Sequence, residues 1–93
     1  MAVLGTFTKQ PAEVQDYDID FSEWLAALSD TAISHVVTAD AGITLGATSL
    51  SGGAVKAWLS GGAHGATYKI TTAITTAGGR TKEDEIKIKV KEA

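Results

Sequence analysis

The strongest constraint on the fold is a strict alternation of apolar and polar side chains near the end of the chain. Every second residue of 68–74 is tyrosine, isoleucine or threonine, and isoleucine and valine alternate with lysine over residues 86–91. A period of two with β-branched residues on one side is typical of strands buried on one face. Two such strands form an antiparallel sheet whose dry face needs a second sheet to cover it. The pattern therefore predicts an all-β protein.

The rest of the chain supplies shorter strands with turn signals about every ten residues. Apolar residues at helical spacing predict one or two helical turns over residues 22–29, with Ser22 as a cap and Trp24 as a structural residue. This spacing predicts an immunoglobulin-like (Ig-like) antiparallel β-sandwich of six to seven strands with one short helix near residues 22–29. The shorter strands are expected at 16–21, 33–38 and 54–60, and residues 43–45 and 47–50 are expected to be short strands or turns.

The first twelve residues differ from the remainder. They show no periodicity and contain the only proline, Pro11. We predict an extended N-terminal arm over residues 1–12, outside the core, followed by one sandwich domain over residues 13–93. The chain has no cysteine, which excludes a disulfide framework and favours assembly in a reducing cytoplasm. We expect neither a signal peptide nor a membrane span.

The residue pattern of the last two strands predicts the register in which they pair. A two-residue turn at Gly78-Gly79 would place Ile70 opposite Lys87 and set apolar side chains against charged ones. A three-residue loop, Gly78-Gly79-Arg80, places Ile70 opposite Ile88 instead. We predict that loop or an equivalent bulge, with a positive φ at a glycine.

This register also places two like charges, Lys69 and Lys89, opposite each other on the wet face, which destabilises a sheet. Aspartates at alternate positions of the first strand have the period to neutralise them. First and last strands are neighbours in Ig-type sandwiches, so we expect these aspartates beside the lysines of the last strand. They are Asp16, Asp18 and Asp20.

Tyr68 is a candidate structural residue. It stands two residues before Ile70, after a glycine-rich link, where Ig-type sandwiches place the tyrosine of a tyrosine corner. We expect its hydroxyl to bond backbone a few residues upstream; the alternative is an ordinary core tyrosine.

Trp58 is the candidate contact residue of the chain. If its apolar neighbours in the strand face inward, Trp58 and Lys56 share the outer face of a sheet. Protein interfaces are enriched in tryptophan. The alternative is a tryptophan covered by the N-terminal arm or packed along a lysine stem.

The polar residues give no pattern typical of catalysis. The alternate aspartates lack the glycine and distal glutamate of a calcium loop. The imidazoles, His35 and His64, are expected at a sheet edge or wet face and in an exposed loop. Neither a nucleophile elbow nor a phosphate loop is present. We predict no catalytic residue, no metal and no cofactor.

The distribution of charge argues against nucleic acid as a partner. Residues 1–50 carry a net charge of −6 and residues 51–93 a net charge of +3. The basic half is interleaved with acidic residues, and its lysines do not alternate with aromatic side chains that could stack on bases.

Several sequence blocks resemble the small Ig-like virion proteins of tailed bacteriophages that are called phage fiber-tail adaptor proteins. The resemblance covers nearly the whole chain from Lys9, and Gln10 stands where the family has an aspartate. The blocks are Lys9-Gln10-Pro11-Ala12-Glu13, residues 16–21, Trp24-Leu25, and residues 58–62, 65–70 and 75–81.

The resemblance implies a non-enzymatic structural protein of the virion. It would join the neck or tail ring, close to the portal, to tail fibres or spikes, in several copies of a symmetric assembly. Its partners would be other virion proteins, with no nucleic acid and no membrane, after assembly in the host cytoplasm. Leu4, Phe7 and Pro11 of the arm are further interface candidates. The alternative is an Ig-like adhesin module that binds host-surface carbohydrate, with Trp58 as the platform.

Overall fold

The alternating segments of the sequence are strands, and they form two packed sheets. A computed structural model describes the backbone of residues 2–92 and the side chains of residues 5–92. No helix in this part of the chain has the length and hydrophobicity of a membrane span. The elements are β1 (Ala2–Lys9), β2 (Gln15–Asp20), α1 (Ser22–Ala27), β3 (Ala32–Ala39), β4 (Ile43–Ser51), β5 (Ala54–Gly61), β6 (Thr67–Thr76) and β7 (Thr81–Val90).

The two sheets have the strand order of an Ig-like sandwich. One sheet, here called sheet A, has the order β1-β7-β6-β3, and the other, sheet B, has the order β2-β5-β4. All neighbours are antiparallel except β1 and β7, which are parallel. The order β7-β6-β3 facing β2-β5-β4 is that of the constant-type immunoglobulin fold. The expected all-β sandwich with one short helix is therefore confirmed.

The core consists of the inward residues of the alternating strands. Burying these β-branched and aliphatic side chains is the main stabilising term of a fold of this size. Their polar neighbours point to solvent on the outer faces. The core side chains with almost no exposed surface are Ile19, Phe21, Val55, Leu59, Ile70, Ile74, Ile86, Ile88 and Val90.

The helix α1 closes one end of the sandwich through Leu25, which is buried. The expected cap at Ser22 is wrong, because Phe21 holds the N-cap position and its side chain makes no capping hydrogen bond. The backbone N–H of Ser22 instead donates to Asp20 Oδ1 at 2.8 Å. Trp24 is half-buried against the core, and Lys82 Nζ lies 5.4 Å from the centre of its ring.

The N-terminal segment is extended, as expected, but it is not a free arm. Residues 2–9 are β1, which pairs with the outer edge of β7, with Phe7 beside Ile88 and Lys9 beside Val90. Unpaired backbone groups along an edge strand are costly, and β1 satisfies those of β7. The segment has no period-two pattern, so its sequence gives little sign of this strand.

The final hairpin has the expected loop length but a different position. The loop is Ala77–Gly79, closed by the N–H of Thr76 donating to the carbonyl of Arg80 at 2.8 Å. Gly79 has φ +87°, as predicted for a glycine of the loop. The register therefore differs by two residues, and Ile70 lies opposite Ile86 instead of Ile88. The last position of such a loop needs a left-handed residue, which favours Gly79 there over Arg80.

The expected neighbours of the alternate aspartates are wrong. β2 pairs with β5 in sheet B, whereas the lysines of β7 are in sheet A, where β1 takes the free edge of β7. Asp16 and Asp18 flank Lys56, at 3.0 and 3.9 Å. Lys69 lies opposite Lys87 instead of Lys89.

Candidate interaction surface

The outer face of sheet B carries the predicted contact residue. Trp58 is 40% exposed, and Lys56 shares its face of β5 while Val55, Ala57 and Leu59 are buried. This is the expected orientation. The N-terminal strand β1 lies in the other sheet, sheet A. The contact role of Trp58 remains a prediction.

Charged groups from β2 surround Trp58. Asp16 lies directly opposite Trp58 in the register, and Asp18 lies opposite Lys56. The hydrogen bond from Lys56 lowers the pKa of Asp16, and the same bond, together with the charge of Asp18, raises the pKa of Lys56. The surface thus combines one exposed aromatic ring, a residue type enriched in interfaces, with solvated charges like those of an interface rim.

Phe7 joins the two sheets at one side of the sandwich. Its ring centre lies 5.3 Å from that of Tyr17 in β2, at an interplanar angle of 52°. Burial, with the charges of Glu13 and Asp16, raises the pKa of Tyr17. Phe7 is nevertheless 41% exposed, so much of its ring faces solvent. Leu4 lies in β1 beside a register shift, and its side chain is outside the described residues.

Pro11 lies in a tight turn between β1 and β2. The N–H of Glu13 donates to the carbonyl of Gln10 at 3.1 Å, and the N–H of Gln10 donates to Glu13 Oε1 at 2.7 Å. Pro11 occupies the second position of this turn, where its fixed φ is favourable. Pro11 is half-buried.

Lys9 anchors this turn and was not singled out by the sequence. Its side chain is 1% exposed, and Nζ donates to the carbonyls of Gln10 and Gly61 at 2.8 and 2.7 Å. A longer contact of 3.4 Å reaches the carbonyl of Pro11. Burial lowers the pKa of Lys9, an effect that the charge of Glu13 opposes. In the sequence, Lys9 ends a segment without periodicity, so nothing there indicated that its side chain would be buried and bonded to backbone carbonyls.

The residues predicted as structural occupy defined positions. The Tyr68 hydroxyl accepts the backbone N–H of Ala63 at 2.9 Å, which confirms the expected bond to upstream backbone. A side chain at Gly78 would meet Arg80 and Asp30 at 2.8 Å. Gly79 supplies the left-handed conformation of the loop.

The two histidines have separate hydrogen-bond partners. His35 is on β3, an edge strand as expected, and its Nε2 lies 3.0 Å from Thr48 Oγ1. His64 is exposed in the β5–β6 connection, and its Nδ1 accepts the N–H of Glu92 at 2.9 Å. Residues 2–92 contain no cluster of three or more potential metal ligands.

Comparison with known proteins identifies a family for this chain. The comparison with curated proteins gives no match. One protein family, described as podophage GP4 fiber-tail adaptor protein gp77, matches residues 9–89, which include every element except most of β1. The matched region covers most of the sequence, and we conclude that the chain belongs to this family of phage fiber-tail adaptor structural proteins.

Proposed function

We propose that this chain is a non-enzymatic adaptor of the virion tail, which joins the neck or tail ring to a fibre or spike through protein–protein contacts. Membership of the fiber-tail adaptor family supports this role. The observation that carries the contact site is Trp58, an exposed tryptophan on the central strand of sheet B, beside the ion pair of Asp16 and Lys56.

The adaptor works by shape and charge complementarity. The sandwich holds β5 rigid, so the indole of Trp58 loses little conformational entropy when a partner covers it. Lys56, Asp16 and Asp18 supply charges beside the ring that orient the partner. Phe7 and the turn at Pro11 present a second contact region for the other partner. Assembly takes place in the host cytoplasm, and the protein remains in the virion.

The test is the substitution Trp58→Ala in a phage that depends on this chain. Truncating a central tryptophan of an interface costs about 2 kcal/mol or more, which is more than tenfold in affinity. We expect Trp58→Ala particles to lose this chain or the attached fibres, measured by mass spectrometry and electron microscopy of purified particles.

The matched control is Val36→Ala, which removes an exposed apolar side chain from the outer face of sheet A. Both variants should keep the melting temperature of the parent, since neither residue is in the core. Particles of Trp58→Ala with normal chain and fibre content would refute Trp58 as the contact residue.

A further inference from the structure

Three exposed lysines form a basic patch on the outer face of sheet A. Lys69 on β6 lies directly opposite Lys87 on β7, and Lys89 follows on the same face. We call these three residues the lysine surface. Like charges directly opposite each other in a sheet are destabilising. Among the described side chains, none of the carboxylates is within ion-pair distance of the three.

The complementary charges are on the other side of the molecule. Asp16, Asp18 and Asp20 are exposed at alternate positions of β2, on the outer face of sheet B, and we call them the acidic ladder. Lys56 pairs with the first two, so the ladder keeps an excess of negative charge.

The two patches match in spacing as well as in sign. Alternate residues of a strand are roughly 6.5–7 Å apart, so the aspartates of β2 and the lysines of β7 form ladders of equal period. Within one chain the ladders cannot meet, because the two sheets turn their outer faces in opposite directions. Their complementarity can be satisfied only between molecules.

We propose that the lysine surface of one copy binds the acidic ladder of a second copy of this chain, head to tail. Trp58 lies directly opposite Asp16, so its ring would cover the stems of the bound lysines. The contact uses two different surfaces, so each copy still offers one to a further copy. This inference rests on the proposed adaptor role and on the several copies in a symmetric assembly that the resemblance to the adaptor family implies.

The contact is weak between free copies. Exposed ion pairs contribute little individually and are screened by salt. Copies that a tail partner holds side by side gain from their high effective concentration, so the same contact is populated in the assembly. Self-association of the free chain should therefore depend steeply on ionic strength.

The first test detects the contact directly. Full chains labelled with ¹⁵N and unlabelled chains are mixed, joined with a zero-length carbodiimide and digested, so that links between copies are recognised by their mixed isotopes. We expect links from Lys69, Lys87 or Lys89 to the acidic ladder at about 0.01 M salt. These links should be lost at about 1 M salt, where the screening length falls from about 30 Å to about 3 Å.

The second test exchanges the charges. Lys87→Glu alone and Asp18→Lys alone should each give clearly fewer mixed-isotope links between their own copies. An equimolar mixture of the two variants should regain them, because the new carboxylate then faces the new ammonium. Both positions are exposed, and each variant is checked for the parent's melting temperature.

The outcomes separate this inference from the adaptor role. Mixed-isotope links that are absent at low salt, or that persist unchanged in both charge variants, refute the contact between copies. The particle test of Trp58→Ala against Val36→Ala does not measure those links. Loss of the chain or the fibres from Trp58→Ala particles, together with absent links between copies, would support the adaptor role and refute the contact between copies.

Discussion

Lys9 joins the two sheets at one end of the sandwich. It lies at the end of β1 in sheet A, and its ammonium donates to the carbonyl of Gly61, at the end of β5 in sheet B. The same ammonium holds the turn that leads into β2 through the carbonyl of Gln10.

We predict that Lys9→Met lowers the free energy of unfolding by about 1–3 kcal/mol, because the carbonyls lose their donor while the side-chain volume is kept. Urea unfolding followed by circular dichroism measures the difference. The control is Lys91→Met, since Lys91 is an exposed lysine near the same end. Equal unfolding midpoints for the two variants would contradict the anchoring role of Lys9.

Asp30 organises the β6–β7 hairpin from the other end of the sandwich. Its carboxylate accepts the N–H groups of Thr31 and Gly78 at 2.9 and 3.0 Å and pairs with Arg80 at 2.8 Å. A hydrogen bond from Thr76, followed by those from Thr31, Arg80 and Gly78, lowers the pKa of Asp30 to about 2, although desolvation opposes the shift.

This shift predicts a loss of stability in acid. The folded-state pKa of about 2 is below the usual value of 3.8, so Asp30 stabilises the fold above pH 4. That contribution should disappear as the pH falls from about 4 to about 2, when the carboxylate is protonated. Between pH 6 and pH 2, the melting temperature of Asp30→Asn should fall by less than that of the parent. Parallel curves for the two proteins would show that Asp30 does not carry this dependence.

Among the secondary-structure elements, the β6–β7 hairpin shows how the position of a loop sets the register of two paired strands. Sliding a three-residue loop by one position shifts the register by two residues and leaves every side chain on the same face. The requirement that apolar side chains face each other across the strands therefore excludes the two-residue turn. It does not distinguish the loop over residues 78–80 from the loop over residues 77–79. The conformation of Gly79, at φ +87°, makes that choice.

We predict that Gly79→Ala lowers the free energy of unfolding by about 1–2 kcal/mol, the cost of a left-handed conformation for a residue with a Cβ. A Cβ at Gly79 would meet no atom within 4 Å, so the cost is conformational and not steric. The control is Gly5→Ala, where φ is ordinary and the nearest atoms are 3.7 Å away. Chemical denaturation measures the free energy of unfolding of both variants. If Gly79→Ala leaves this free energy unchanged, the loop tolerates another conformation.

At the scale of the whole molecule, the sandwich separates charges that the sequence places on matching ladders. The acidic ladder is on the outer face of sheet B and the lysine surface is on the outer face of sheet A. The proposed adaptor role needs at least two contact surfaces on one rigid body, and the contact that we propose between copies uses these two oppositely charged faces. The shared core lies between the two faces and fixes the orientation of each.

Much of this organisation is local and was therefore predictable from the residues. A period of two assigns each strand residue to a face, which placed Ile70, Ile86 and Ile88 in the core and Trp58 on the surface. The glycine-rich links marked the turns, and Tyr68 indicated its own hydrogen bond. These features depend on side-chain chemistry within a few residues, so they can be predicted without knowledge of the rest of the fold.

The class of fold and the face of each strand residue follow from the residue pattern, whereas the choice of neighbouring strands is made only in the folded molecule. Pairing depends on competition between edges that are distant in the chain: β1 takes the edge of β7, which leaves the aspartates of β2 to meet Lys56. The burial of Lys9 follows from the same competition, because its carbonyl partner Gly61 comes from the other sheet. The pairing of strands depends on free energies summed over whole strands, so it cannot be read from any one segment of the sequence.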